Sequence, residues 1–258
     1  MPAKKVITSR TGQHGKKTEG RRSGLPPSIS LKFYLLSAAI ITISGFSIYS
    51  NILQAPFLYD DVVFRDESMV HIARFSQILD ILLSHEVWRR VGFITFALNF
   101  YLGGLNPFWY HIFNIIIHLL TGIILFCVAA KTMSLPVVPE RLRSLAPWIA
   151  LLGSLIWLVH PVHIMAVSYT VQRFASLAAL FLLSLLFYIH GRLAHSRRRM
   201  LFFGLSVLCG VLAIGSKQNA AMLPVVILVH EYFFFMNLSY SAHKQKLLLS
   251  SLALAVFA

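Results

Sequence analysis

The sequence predicts an all-α fold, a polytopic transmembrane helical bundle of about seven hydrophobic segments with an interfacial or re-entrant helix in its first outer loop. Three observations lead there. Hydrophobic residues fill 57% of the 258 positions and charged residues only 12%, whereas a soluble domain carries about a quarter. The apolar residues run in long blocks. Lys and Arg gather in short patches between those blocks, so the net charge of +14 reflects membrane sidedness and leaves no continuous basic face for nucleic acid, which is not expected as a partner.

Taken in order, residues 1–32 read as a disordered basic cytoplasmic tail, with Lys4, Lys5, Arg10, Lys16, Lys17, Arg21, Arg22 and Lys32. Residues 33–258 form the membrane domain. Its first apolar run, Phe33 to Ile52, would make about 30 Å of helix, which matches the hydrocarbon thickness of a bilayer. It is longer than the apolar core of a signal peptide and lacks a small-residue cleavage site, so it reads as an uncleaved first span. Further runs occupy Trp109 to Ala130, Leu145 to Val159, Met165 to Ile189, Met200 to Gly215, Ala220 to Met236 and Leu247 to Ala258. Several fall at or below about 17 residues, so their helices must extend into the flanks. Cys127 and Cys209 both lie inside apolar runs and read as small buried hydrophobes rather than a disulfide framework.

The run Val91 to Leu105 decides the topology. If it does not cross, the groups Lys131/Arg141/Arg143, Arg192/Arg197/Arg198/Arg199 and Lys244/Lys246 share a side with the tail, which places seventeen of the 23 basic residues in the cytoplasm. If it crosses, nine of them move to the far side. The first arrangement obeys the positive-inside rule, so Val91 to Leu105 is expected to lie within a long outer loop, residues 53–108. Asp60, Asp61, Asp66, Glu67, Asp80 and Glu86 then face outwards, together with His160, His163 and Lys217, and Arg173 lies a short way into its helix.

Several of these residues carry chemical potential. Asp60-Asp61, just past the first span, suits a divalent cation, a general base with its orienting partner, or an ordinary hydrated loop. His111, Asn114 and His118 share one helix face by their spacing, which fits interhelical hydrogen bonding or a ligand role. In His160-Pro161-Val162-His163, the proline explains a break between helices, and the two histidines are either caps or weak zinc ligands. Arg173 and Lys217 are costly near hydrocarbon, about 2.5 to 3.5 kcal/mol each, and would either snorkel or engage an anion such as phosphate.

The ordered set Phe57-Leu58-Tyr59-Asp60-Asp61, Thr95-Phe96-Ala97-Leu98-Asn99, Tyr110-His111, Asn114, His118, His160-Pro161-Val162-His163, Gln172-Arg173 and Ser216-Lys217 resembles the GT-C-type membrane glycosyltransferases. The resemblance covers residues 33 to 240. It is nearest to bacterial, tetratricopeptide-linked proteins similar to protein O-mannosyltransferases. It implies an inverting transfer at the outer face of a membrane, here a bacterial inner membrane, from a polyprenyl-phosphate sugar donor to a protein or glycan acceptor. Asp60 or Asp61 would act at the acceptor, with a divalent cation as a candidate cofactor on the same pair. Arg173 and Lys217 would hold the donor phosphate, and His111, Asn114, His118, His160 and His163 would support the site.

Two positions depart from the pattern. Met165 and Gln218 stand where acids or an amide, and an acid, are common in similar sequences. The chain is also expected to be incomplete, because it ends within an apolar run. A non-catalytic membrane scaffold or partner subunit is the competing expectation, and a transporter is the third.

Overall fold

The structure is a computed structural model that describes residues 29–61, 70–84, 89–176 and 178–236. The tail through residue 28, part of the first outer loop and the expected last span, Leu247 to Ala258, lie outside the described residues. Among the described residues all regular structure is helical.

Helix α1, Leu31–Tyr49, starts where the Ser30 hydroxyl accepts the Phe33 N–H at 3.2 Å, and it runs into a 3-10 turn over Ser50–Ile52. After it come the short α2, Ile78–Leu83, and α3, Arg90–Gly103. Helix α3 is 14 residues, about 21 Å, too short for a bilayer core of about 30 Å, in keeping with a segment that does not cross. It stops at Gly104, whose φ of +58° is a conformation a side chain resists.

Helix α4, Pro107–Met133, is the longest at 27 residues. The Asn106 side chain accepts the Phe108 N–H at 3.0 Å, and Pro107 occupies the first turn, where its missing N–H costs nothing. Next come α5, Glu140–Ser144, and α6, Ala146–Val159; then, past Pro161, α7, Ile164–Ser168, α8, Arg173–Ser176, and α9, Ala178–Leu193. The described part ends with α10, Arg197–Ile214, and α11, Leu223–Phe234.

Helix α4 is the axis of the bundle. Ile115, Leu119 and Phe126 on it close a core with Ile41 and Tyr49 of α1 and with Ala150, Leu151 and Leu158 of α6. Helices α9 and α10 form an antiparallel hairpin, drawn together by reciprocal bonds from each of Ser184 and Ser206 to the other's carbonyl, at 2.7 and 2.9 Å. Such small side chains let helices approach closely in lipid. At the end of the bundle where α4 finishes, Glu231 of α11 accepts Arg192 Nε and Nη2 at 2.9 and 2.7 Å, and Tyr188 donates to it at 2.6 Å. Outward faces of α1, α6 and α10 carry Leu35, Ile43, Trp148, Leu152, Ile156, Val207 and Val211, all exposed. A surface this apolar fits hydrocarbon, and the protein is a membrane protein.

The expected seven spans reduce to fewer in the described residues. Leu31–Ile52 and Pro107–Met133 are each long and apolar enough to cross, and Ala146–Val159 with Pro161–Ser168 would make a third, bent by 51°. The remaining helices are shorter. The sharpest departure concerns Met165 to Ile189, expected as one helix: the chain instead turns through α7, a 3-10 turn at Thr170–Gln172 and α8 before α9 begins.

Candidate functional site

The broken stretch from Leu158 to Arg173 has backbone groups that no helix pairs, and the sequence's polar motifs satisfy them. Pro161 ends α6, and the Val162 N–H turns to His160 Nδ1 at 3.2 Å, which leaves the Leu158 carbonyl without its helical donor. His118 Nε2 donates to that carbonyl at 3.0 Å and Tyr49 Oη at 3.4 Å. Asn114 Nδ2 donates to the carbonyls of Val167 and Thr170 at 3.3 and 3.4 Å. Irregular backbone is tolerated at membrane depth only where protein groups pair it in this way. His111 Nε2 donates to the Ala55 carbonyl at 3.0 Å, which ties the segment after α1 to the start of α4.

Arg173 lies at the centre of this end and is fully buried. Its Nε donates to Asn114 Oδ1 at 2.7 Å, Nη2 to the Tyr110 carbonyl at 3.0 Å, and Nη1 to the Thr95 carbonyl at 3.2 Å and to Asn99 Oδ1. The guanidinium also lies 4.3 Å from the Phe96 ring centroid. The motif residues Thr95, Asn99, Tyr110 and Asn114 thus converge on one side chain. Those bonds turn four of the five guanidinium N–H groups to acceptors inside the protein, and Arg173 is not among the residues around the cavity that holds Lys217. The expected pairing of the two cations is not formed.

The two adjacent carboxylates face opposite ways. Asp61 is buried: its Oδ1 accepts the Val171 N–H at 2.7 Å, and its Oδ2 accepts those of Thr170 and Leu58 at 3.3 and 3.4 Å. Burial pushes its carboxyl above the ordinary carboxylate value, against these N–H groups, which favour the charge. Asp60 is exposed, and its N–H donates to Tyr169 Oη at 2.8 Å. Tyr59, just before it, holds a φ of +47°, a strained conformation for a tyrosine and one that often marks functional positions. The Tyr169 phenol is pushed up, first by desolvation and then by the neighbouring Asp60 carboxylate. Both Asp61 oxygens accept backbone N–H groups, and no cluster of three or more His, Cys, Asp or Glu that could hold a metal ion occurs among the described residues.

Lys217 lies beyond the end of α10 and lines a cavity of about 240 Å³ with Phe174, Ala178, Phe181, Ala213, Ser216, Asn219 and Ala220. Beside it is Arg89, which sequence reasoning passed over. Its guanidinium is 5.3 Å from the Phe174 ring, and its Nε donates to Gln218 Oε1 at 3.4 Å. Tyr169 was missed as well. Arg89 had one legible signal, as a cation on the side that the charge asymmetry leaves nearly bare. His160 is exposed, and His163 packs 4.4 Å from the Trp157 ring, so these two cap and pack the turn.

The fold and site define a helical membrane protein whose polar groups gather at one end around an internal arginine. Among known proteins the chain is similar to the Homo sapiens protein O-mannosyl-transferase TMTC1, at 30% identity over 254 residues that cover 90% of this chain and 27% of that protein. The likeness to TMTC2 of Homo sapiens is 31% over 219 residues, 79% of the chain and 24% of the relative; to TMTC4 it is 38% over 104 residues, 39% and 14%. The chain therefore spans about a quarter of the length of the first two relatives. These are animal proteins, so the expected likeness to protein O-mannosyltransferases holds while its bacterial placement does not follow from them. No protein-family model and no solved structure matches the chain.

Proposed function

We propose that this chain carries the site of a GT-C-type glycosyltransferase, which moves a sugar from a polyprenyl-phosphate donor to a protein acceptor at the outer face of the membrane. Asp60 is its acid-base carboxylate. The observation that carries this reading is the division of labour in the Asp60-Asp61 pair: Asp61 is turned inwards and bound by three backbone N–H groups, while Asp60 is exposed on a strained turn. The acceptor hydroxyl oxygen attacks the anomeric carbon as Asp60 takes its proton, and the bond from that carbon to the phosphate oxygen breaks, its electron pair leaving with the phosphate. The configuration inverts. Lys217 favours the departing charge. Similarity to protein O-mannosyl-transferases supports a protein acceptor and a mannosyl group. No step calls for the divalent cation.

The test is sugar transfer by the purified protein in lipid nanodiscs, with a mannosyl phosphopolyprenol as donor. Asp60→Asn should lower transfer by about 100-fold, the scale of a lost acid-base group, with the unfolding midpoint unchanged. Asp61→Ala should instead destabilise the fold by about 2 kcal/mol or more, because buried N–H groups lose their acceptor. Full activity in Asp60→Asn would sink this assignment. A folded protein that never transfers sugar would favour the non-catalytic scaffold.

A further inference from the structure

We propose that Tyr169 is a positioning residue for Asp60: its hydroxyl takes the Asp60 N–H and fixes the tip of the turn that presents the Asp60 carboxylate, so that the carboxylate is aimed at the acceptor hydroxyl. This deepens the glycosyl-transfer reading and rests on it for the reaction that the aim serves.

The argument starts from two short segments 109 positions apart in sequence. The turn from Leu58 to Asp61 closes on itself: the Asp61 N–H donates to the Leu58 carbonyl at 3.0 Å, and the Leu58 N–H to Asp61 Oδ2 at 3.4 Å. Three successive residues then address it. Tyr169 Oη accepts the Asp60 N–H at 2.8 Å, and the N–H groups of Thr170 and Val171 donate to the Asp61 carboxylate at 3.3 and 2.7 Å. In an unbroken helix those two N–H groups would go to the carbonyls one turn back, at Ala166 and Val167, so the break after α7 is what frees them to dock the turn. The docking segment is itself anchored. Thr170 is fully buried, its carbonyl accepts Asn114 Nδ2 at 3.4 Å, and Asn114 Oδ1 accepts Arg173 Nε at 2.7 Å. A platform fixed on α4 thus meets a short turn just past the first span.

The way the bonds are shared singles out the hydroxyl. Asp61 is buried and takes both backbone bonds that dock the turn, so the fold is held without Tyr169 Oη. Asp60 is exposed, and among the described residues its N–H meets the platform only through that hydroxyl. A phenol that accepts an N–H still has its own O–H to give. The Asp60 side chain is within reach of it, since the phenol is pushed up by desolvation first and by the Asp60 side chain after it. A hydroxyl that donates to a carboxylate makes a charge-assisted bond, the stronger kind. Held at its backbone and met at its side chain, Asp60 loses orientations that an exposed aspartate samples freely, which is how a general base is kept within reach of its proton. Tyr59 shows that the tip is held: its φ is +47° while its ring is 85% exposed, so the bonds on either side impose the strained backbone, and packing of the ring does not.

Tyr169→Phe tests this, because it removes the oxygen and keeps the ring. Two measurements are made on the protein in lipid nanodiscs: residue-resolved amide hydrogen exchange, and steady-state transfer from a mannosyl phosphopolyprenol to a peptide containing serine and threonine. In the variant the Asp60 amide should exchange about 10-fold faster, while the Thr170 and Val171 amides keep their rates. The kcat should fall by about 10-fold with the KM of donor and acceptor unchanged. Tyr169→Phe combined with Asp60→Asn should be no slower than Asp60→Asn alone, since the phenol acts only through that carboxylate. Equal acceleration of all three amides would make Tyr169 a structural part of the platform, and multiplied losses in the double variant would give it a role of its own; either overturns the proposal. An unchanged Asp60 amide or an unchanged kcat does so as well. Where Tyr169→Phe does not fold, the unmodified protein decides: its Asp60 amide should exchange about 10-fold or more slower than in an unstructured chain, and exchange at the unstructured rate would overturn the contact. A folded protein that never transfers sugar removes the glycosyl-transfer reading, and amide exchange alone then decides whether Tyr169 holds Asp60. Normal transfer by the variant, with its Asp60 amide unchanged, does the reverse.

Discussion

Arg173 commits its hydrogen-bonding capacity inside the protein, to Asn114, Asn99, Thr95 and Tyr110, and its cationic face to Phe96. A buried arginine with no direct carboxylate partner is expensive, and the amide and carbonyl oxygens around it are what make the charge tolerable. Lysine cannot replace it, because a single ammonium has no planar fork to reach acceptors on α3 and α4 at once. Arg173→Lys and Arg173→Gln should both lower stability by about 3 kcal/mol or more, read as denaturant unfolding in detergent. An unchanged unfolding midpoint in both variants would remove this structural role. The same logic separates Asp61, which is internal and bound by backbone N–H groups, from Asp60, which is exposed.

At the scale of elements, the approach of α3 to α8 holds the site in shape. Gly92 permits it: a Cβ added there would lie 2.2 Å from Cδ1 and Cε1 of Phe174, closer than any real contact. Gly92→Ala must therefore displace the ring that lines the Lys217 cavity. We expect overpacking to cost about 1 to 3 kcal/mol. Gly153 on α6 is the control, since a Cβ there meets nothing within 4 Å. Gly153→Ala should be neutral or stabilise by about 0.5 to 1 kcal/mol, the usual helical gain. Equal effects from the two substitutions on unfolding would remove the special role of the α3 contact. The α6–α7 break has its own support in His118 and Tyr49, so that element boundary depends on α4 and α1 rather than on Pro161 alone.

For the whole molecule, the hydrogen bonds sort the helix ends into two sets. One end gathers Asp61, Thr170, Arg173 and the Gly215 turn; the other gathers Thr132, Arg192 and Glu231, with His230 3.0 Å from Thr132. The basic loops at Lys131, Arg141, Arg143 and Arg197 to Arg199 follow helices that finish or begin at the second end. The positive-inside rule then puts the second end in the cytoplasm and the Asp60 end outside. A cysteine at the exposed Gln54 should react with a membrane-impermeant maleimide in intact cells, and one at the exposed Ser144 only after permeabilisation, each measured over the background of Cys127 and Cys209. Reversed labelling would invert the topology and place the site in the cytoplasm.

The sequence by itself determined the class: long apolar blocks with few charges can be stable only as helices in lipid, and the placement of Lys and Arg orients them. It also marked Asp61, Asn99, His111, Asn114, His118 and Arg173, which the fold buries, because a polar side chain within an apolar run needs a reason to be there. What it left open was which partner each residue meets. Helical spacing put His111, Asn114 and His118 on one face, but their partners, Ala55, Val167, Thr170 and Leu158, lie on other elements. The tertiary structure alone decided that Asp61 is buried while Asp60 is exposed, that Met165 to Ile189 is broken rather than continuous, and that Arg173 is enclosed between α3 and α4 and does not line the Lys217 cavity. The physical reason is common to all three. Burying a charge or an unpaired backbone group is settled by the acceptors and donors that distant segments bring to it, and no local pattern contains them.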